Sequence, residues 1–288
     1  PERMPQIAHL LAQQKSDGGK LSQEFSAFVS SIRIGHVWKL TYPNRLSVTN
    51  RVLCQRLQDL APQKIFLLDV GGSDGVTTQD LVELLRSELN VEVSACMIDL
   101  YVRLLRYARA GVVEYRMADG APIMVRVGPF GLQLSSLNST RNPLSRVLGR
   151  FYLGRARFRK SMRLSASYSL VNPRVTADRG ITVAEWSVLE RKPDLVNRVG
   201  VARASNVLNR AYFSPDQILA AAGHLHAYLV DGGLLAVSRN KAEAQEVETG
   251  SIWQKEGDRF RLLDDFGGGS EVAELINAFQ APSTPYPV

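Results

Sequence analysis

Scarcity narrows the chemistry of this 288-residue chain before any motif does. It has two cysteines: Cys54 lies in a stretch of helical spacing and Cys96 in a strand-like apolar run, and neither has metal-ligand spacing or a histidine nearby. Both read as core thiols rather than reactive groups. The four histidines offer little more. His9 lies in the terminal arm, His224 and His226 share one helical stretch, and no set of His, Cys and carboxylate residues shows the spacing of a metal site. A lysine-bearing phosphate loop is missing as well. No apolar run is long enough to span a membrane, and the first residues hold no signal-type hydrophobic region. The expected location is cytoplasmic, with peripheral attachment to a membrane left open by one basic segment. In that segment, residues 141–163, acidic side chains are absent while Arg141, Arg146, Arg150, Arg155, Arg157, Arg159, Lys160 and Arg163 are all basic. Those eight exceed the whole net charge of +7, so the rest of the chain is close to neutral.

What is present suffices for a full core. With 45% apolar residues the chain can form one large domain, or one domain with an insertion. Its organising stretch is IFLLDVGGSDG at residues 65–75. An apolar run of buried-strand character ends in Asp69 and passes into a turn with Gly71, Gly72 and Gly75, after which residues 76–89 have helical spacing. Glycine in such a turn permits tight bending and close approach of a ligand to main-chain N–H groups at a helix start.

The pattern acidic-x-Gly-x-Gly-x-Gly at the end of a first strand resembles the cofactor-binding motif of class I S-adenosylmethionine-dependent methyltransferases. Asp69, Gly71, Ser73 and Gly75 take the four positions, with Ser73 where the family usually has its middle glycine. A dinucleotide fold needs a third glycine where Val76 stands. Residues 91–98 read as a second buried strand ending in Asp99, one β-α-β step from Asp69. The resemblance implies an α/β fold, a Rossmann-like sheet with an antiparallel final strand pair, S-adenosylmethionine as cofactor, and methyl transfer. It places cofactor contacts at Asp69, Gly71, Gly72, Ser73 and Gly75. Asp99, followed by Leu100, would accept hydrogen bonds from the ribose hydroxyls. Ser187 and Val188 fall in the segment that frames the adenine, and Ala204 ends the fourth strand.

Four regions are expected. Residues 1–62 form an N-terminal helical cap, with helical spacing over 21–40 and 47–60. Tyr42 and Arg45, between these helices, are pocket residues or surface positions of a connecting turn, and His36 is a candidate for a general base. Residues 63–111 form the first half of the core. Residues 112–179 are an insertion, a hairpin around Asp119 and Gly120 followed by a basic amphipathic helix. On that helix Leu144, Val147, Leu148, Phe151, Phe158 and Met162 share a face, most arginines lie elsewhere, and Arg155 falls within the apolar face. Residues 180–288 complete the core: a short strand at 181–183, a fourth at 194–204, a helix opening at Ser214 and Pro215, a Gly232-Gly233 turn into a fifth strand, and a hairpin over 251–266.

Asn206 and Arg239 are candidates for the acceptor, the first by hydrogen bonding and the second by pairing with an anionic group, or else ordinary strand-end polar groups. Asn206 is also a catalytic candidate, and no metal is expected. The leading expectation is a methyltransferase acting on a small or amphipathic acceptor, lipid-like or anionic. Two alternatives stand beside it: a methyltransferase-fold protein that binds without catalysis, and a nucleic-acid methyltransferase using the basic helix. That helix has several readings: contact with an anionic membrane surface, with a phosphorylated or nucleic-acid substrate, with an acidic partner or a second copy in a homodimer, or a lid helix with solvated arginines.

Overall fold

The structure is a computed structural model and describes residues 18–30, 32–34, 37–39, 41–135, 137, 140, 142–241 and 244–282. In chain order, helix α1 (Gly18–Ser30) is followed by the short strands β1 (Arg33–Ile34) and β2 (Val37–Trp38), helix α2 (Ser47–Leu60), strand β3 (Lys64–Val70), helix α3 (Val76–Leu89) and strand β4 (Glu92–Asp99). Strands β5 (Arg103–Arg109), β6 (Val112–Arg116), β7 (Pro122–Val127) and β8 (Phe130–Gln133) precede helices α4 (Pro143–Gly154) and α5 (Ala156–Lys160) and strand β9 (Arg163–Ser169). Helix α6 (Pro173–Ala177) leads to β10 (Ile181–Glu185), β11 (Val199–Ser205) and helix α7 (Pro215–Tyr228). Strands β12 (Leu229–Lys241), β13 (Ala244–Glu256) and β14 (Arg259–Phe266) and helix α8 (Ala273–Asn277) close the described chain.

Two compact units result, one of Pro1–Tyr42 with Tyr101–Ala177, the other of Pro43–Leu100 with Asp178–Val288. These divisions correct the expected boundaries after residues 62, 111 and 179. Residues 103–109 pair antiparallel with β6 and β9, so they belong with the second sheet. Helix α2 belongs with the α/β unit, because its start is capped from β13 by Glu248, which accepts from the N–H groups of Val48 and Thr49 at 2.8 and 3.0 Å. Leu46, at the N-cap, supplies no side-chain bond, and a carboxylate at the positive helix end replaces it.

The α/β unit holds a seven-stranded sheet in the order β10-β4-β3-β11-β12-β13-β14. Its first five strands are mutually parallel, and β13 and β14 are added through antiparallel pairings, β13 on β12 and β14 on β13, the expected Rossmann-like arrangement with an antiparallel final pair. Parallel strands covered on both faces read as continuous apolar runs, and Leu67, Leu68, Val201, Ala202, Leu234 and Leu235 are fully buried. Helix α7 begins with a capping box, the Ser214 hydroxyl accepting from the Gln217 N–H and the Gln217 side chain accepting from the Ser214 N–H, with Pro215 in the first turn. The fourth strand starts at Val199 rather than 194, since Pro193–Leu195 forms a turn of 3-10 helix. Gly232, at φ 79°, lies within β12, where the pairing to β11 slips between Leu229 and Leu234 instead of starting fresh after a turn.

His226 on α7 is buried against Phe260 and Phe279, with ring centroids 5.1 and 5.3 Å away. Burial, reinforced by the Lys255 ammonium, lowers its pKa from 6.5 to about 4. The folded chain therefore binds fewer protons than the unfolded one between those values. The stability this confers is present above pH 6.5 and is lost as pH falls towards 4, a change of about 3 kcal/mol. His226→Leu is expected to flatten the fall in unfolding midpoint between neutral pH and about pH 4.5. Thermal melts of both proteins across that range check it.

The other unit is built on a five-stranded antiparallel sheet in the order β8-β7-β6-β5-β9. Residues 21–40 do not form one helix: α1 ends at Ser30 and the short pair β1–β2 follows. The Asn172 carboxamide holds α1, donating to the Ser22 carbonyl and the Ser26 hydroxyl, each at 3.1 Å. The basic segment is two helices, broken after Gly154 at Arg155, whose N–H turns back to the Tyr152 carbonyl at 3.0 Å. That break accounts for an arginine at an apolar position of the expected continuous helix, and it removes Phe158 and Met162 from the face of Leu144. Glu114 on β6 is fully buried and accepts from Arg116 Nε at 2.5 Å, from Arg159 Nε and Nη2 at 3.0 and 2.9 Å, and from the Tyr152 hydroxyl.

Candidate functional site

In an open parallel sheet, ligands bind beyond the carboxyl ends of the strands, so the residues after β3, β4, β10, β11 and β12 are the place to look. The register puts Glu185 beside Asp99, Asp69 beside Arg203 and Ser205 beside Ser238.

The glycine turn follows β3 as expected. Gly71, Ser73 and Gly75 all have positive φ, at 73, 60 and 89°. Ser73 thus adopts a left-handed conformation at the position where the resembled family has glycine. The turn is pinned to β4: Gly71 and Gly72 donate to the Ile98 carbonyl at 2.7 and 3.2 Å, and Gly75 donates to the Gly72 carbonyl at 2.8 Å. Asp74 is buried and accepts from the N–H of Val76, the first residue of α3, at 3.1 Å. A Cβ on Gly71 would lie 1.9 Å from Val207 Cγ2, and one on Gly72 would lie 2.3 Å from Met97 Cγ. The chain's own side chains therefore demand these two glycines. Gly71→Ala combines a left-handed alanine with overpacking and is expected to destabilise by about 2–4 kcal/mol, read from the urea midpoint.

Asp99 sits half-buried at the end of β4, and its Oδ2 accepts from the Ser73 N–H at 2.9 Å. The second-strand acid and the glycine turn are thus brought into direct contact. Leu100 beside it is exposed. Trp186 follows β10, its N–H donating to the Asp99 carbonyl at 3.2 Å. Its ring is buried under the Lys192 ammonium, 5.3 Å from the centroid, and among the described residues its Nε1 has no partner. The Ser187 hydroxyl accepts from the Leu189 N–H at 3.2 Å, and the Val188 carbonyl lies 3.0 Å from His224 Nδ1.

Asp69 is placed differently from its expected role. It is buried, with Oδ1 accepting from Arg203 Nε at 2.8 Å and Oδ2 from Arg203 Nη2 at 2.6 Å and the Thr78 hydroxyl at 2.5 Å. Arg203, itself without exposure, uses Nη1 on the Asn50 carboxamide at 2.6 Å. This acid therefore joins β3, β11, α2 and α3 rather than facing a ligand. Ala204 is packed in the hydrophobic core with Val70, Ile98 and Val237. The sequence signal for the pair is a lone arginine within the apolar run VGVARAS.

Beyond β11 and β12 lies a carboxamide pair. Asn206 donates to Asn240 Oδ1 at 3.1 Å and accepts from the Asn240 N–H at 2.9 Å, while Asn240 Nδ2 donates to the Arg45 carbonyl at 3.2 Å. Asn206 and Arg45 are thereby brought to one cluster. Arg239 is not part of it, since its guanidinium pairs with Glu271. Tyr42 belongs to the other unit, and His36 lies outside the described residues. Under the cluster, Ser205 and Ser238 hydroxyls are 2.7 Å apart, and Thr49 Oγ1 lies 2.9 Å from Ser238 Oγ and 2.7 Å from Glu248 Oε2. Glu248 accepts three hydrogen bonds at the start of α2, so it acts as a cap rather than a base. No group of three metal-ligating side chains occurs among the described residues.

No family model matches the chain, and no curated protein matches it. Similar solved structures include the CurJ carbon methyltransferase, at 14% identity and a TM-score of 0.36 over 71% of this chain and 36% of that one. A putative sarcosine dimethylglycine methyltransferase from Galdieria sulphuraria is 15% identical, with a TM-score of 0.33 over 76% of this chain and 57% of that one. CalS10, an amino pentose methyltransferase from Micromonospora echinaspora solved with S-adenosylmethionine bound, is 12% identical, with a TM-score of 0.33 over 73% and 58%. This chain covers less than two thirds of each of them. Likeness at this level carries no argument about residue roles, which rest on the geometry of this chain.

Proposed function

We propose that this chain is an S-adenosylmethionine-dependent methyltransferase acting on a small or amphipathic acceptor. The observation that carries the reading is the contact between Asp99 and Ser73, which sets a half-buried carboxylate and a glycine turn side by side at the carboxyl edge of a parallel sheet. A carboxylate there suits a ribose diol, because paired oxygens can accept two hydroxyl hydrogens. Asp99 and the backbone of Ser73–Gly75 would hold the nucleoside, with residues 186–188 beside the base. The cofactor supplies an activated sulfonium methyl, so the protein's main task is to align the acceptor and exclude water. Asn206, Asn240 and the Arg45 carbonyl offer both donors and acceptors for positioning it.

A second reading, cofactor or partner binding without catalysis, is favoured by one observation. The N–H groups of Gly71 and Gly72 are already bonded to Ile98, and Asp69 is locked by Arg203, so fewer groups face a ligand than the motif implies.

Calorimetric titration with S-adenosylmethionine tests the proposal. The wild-type chain is expected to bind, and Asp99→Ala to bind about a hundredfold more weakly, as two hydrogen bonds to a charged acceptor are lost. A melting curve of the variant separates that loss from unfolding. Absence of binding by folded wild-type protein would sink both readings of the cofactor site, while binding with no methyl transfer to any acceptor class would favour the second.

A further inference from the structure

Helix α4 packs on its own unit through a narrow strip. Gly149 lies so near Leu137 that an added Cβ would come within 2.3 Å of Cδ2. Tyr152 and Leu153 pack against Val125, Leu134 and Leu137. Another stripe of the same 12-residue helix carries Leu144, Val147, Leu148 and Phe151 at i, i+3, i+4 and i+7 spacing. These side chains are 63, 65, 50 and 62% exposed. Contiguous apolar side chains left in water mark a surface that another apolar phase covers.

Charge selects that phase. Residues 120–177 contain ten Arg and Lys and no Asp or Glu. Arg146, Arg150, Arg155, Arg157, Lys160 and Arg163 are exposed, and among the described residues none of them pairs with a carboxylate. The Arg155 guanidinium lies 4.7 Å from the Phe151 ring centroid, at one end of the stripe. A second copy of the chain, meeting this surface with its own, would set arginines against arginines. A lipid surface meets both requirements: acyl chains receive the convex stripe, and anionic headgroups pair with guanidinium groups on long stems. No described helix is long and apolar enough to cross a membrane, so the contact is with the surface. We infer that α4 is an interfacial helix that lays Leu144, Val147, Leu148 and Phe151 into an anionic bilayer, with the neighbouring arginines at headgroup level.

Vesicle co-sedimentation of the full chain tests this. Phosphatidylcholine vesicles with phosphatidylglycerol at about one lipid in three are expected to bind it, and phosphatidylcholine alone to bind at least about tenfold more weakly. Raising salt to about 0.5 M should release it, because exposed charges are then screened. The double variants V147S/F151S and R146Q/R150Q are expected to bind about tenfold and thirtyfold more weakly, respectively, with unchanged melting curves because the replaced side chains are exposed. The inference is overturned if the anionic vesicles do not bind the chain, if both vesicle types bind equally, or if the variants bind as wild type. It is overturned too if V147S/F151S abolishes self-association of a chain that ignores vesicles, which would assign the stripe to a second copy.

Discussion

Arg203→Met is expected to destabilise the α/β unit by about 3–5 kcal/mol, because it leaves the Asp69 carboxylate buried beside an apolar side chain. Neither partner of this pair reaches water, with side-chain exposures of 0 and 3%. Arg203 satisfies two acceptor oxygens on Asp69 and one on Asn50, and the Thr78 hydroxyl completes the set. Asp69→Leu should cost a similar amount, since the guanidinium then loses its counter-charge while Asn50 alone remains. The double variant D69L/R203M removes both charges together, and its loss is expected to be far smaller than the sum of the two singles. Urea unfolding of the four proteins measures this as a coupling energy. If the two singles simply added, the pair would not be acting as a unit. A folded double variant that still bound S-adenosylmethionine would assign Asp69 to the scaffold, whereas loss of binding by a stable double variant would return it to the ligand site.

Glu114→Leu should have an effect of the same size on the antiparallel unit, about 3–5 kcal/mol. The carboxylate is fully buried and receives hydrogen bonds from Arg116, Arg159 and Tyr152, of which the last two lie on α5 and α4. Removing it strands two guanidinium groups whose side chains are only 14 and 19% exposed. Burial on its own would raise the Glu114 pKa, but the hydrogen bonds and charges of Arg159, Tyr152 and Arg116 prevail and hold it below its ordinary value of 4.5. The folded state therefore keeps the carboxylate ionised to lower pH than the unfolded chain does. Its contribution is present above that value and is lost as pH falls through the lowered pKa. Acid titration followed by circular dichroism should show the wild type losing stability over that range and Glu114→Leu losing less. Both helices of the basic segment are tied to β6 through this carboxylate, and α5 also by Arg116 Nη2 donating to the Arg159 carbonyl at 2.8 Å, an arginine that the carboxylate itself holds, so amide exchange in residues 143–160 should quicken in the variant. Unchanged exchange there would show that packing of Tyr152 and Leu153 holds the helices by itself.

Local pattern determined much of this protein. The spans of α2 and α3 follow directly from helical spacing between breakers, and β4 and the hairpin of β13 and β14 from strand periodicity and a Gly-Asp turn. These features involve neighbours in sequence, whose periodicity and turn chemistry act within a few residues. The basic segment was legible as two kinds of residue on different faces, but not as exposed: which stripe of α4 packs depends on Leu137, Leu134 and Val125 of β7, not on the helix.

Tertiary structure decided where the chemistry is. Asp69 and Arg203 are 134 residues apart in sequence and become cross-strand partners only when β3 and β11 align, which turns a motif carboxylate into a buried ion pair. Asp99 and Ser73 are 26 residues apart, and their contact requires β4 to return parallel beside β3. Two aspartates at the ends of adjacent strands thus have different surroundings, Asp69 enclosed by the Arg203 guanidinium and the Thr78 hydroxyl and Asp99 half-buried against the glycine turn. A carboxylate's function is set by whether fixed donors surround it before a ligand arrives, and those donors come from segments that the chain joins only on folding.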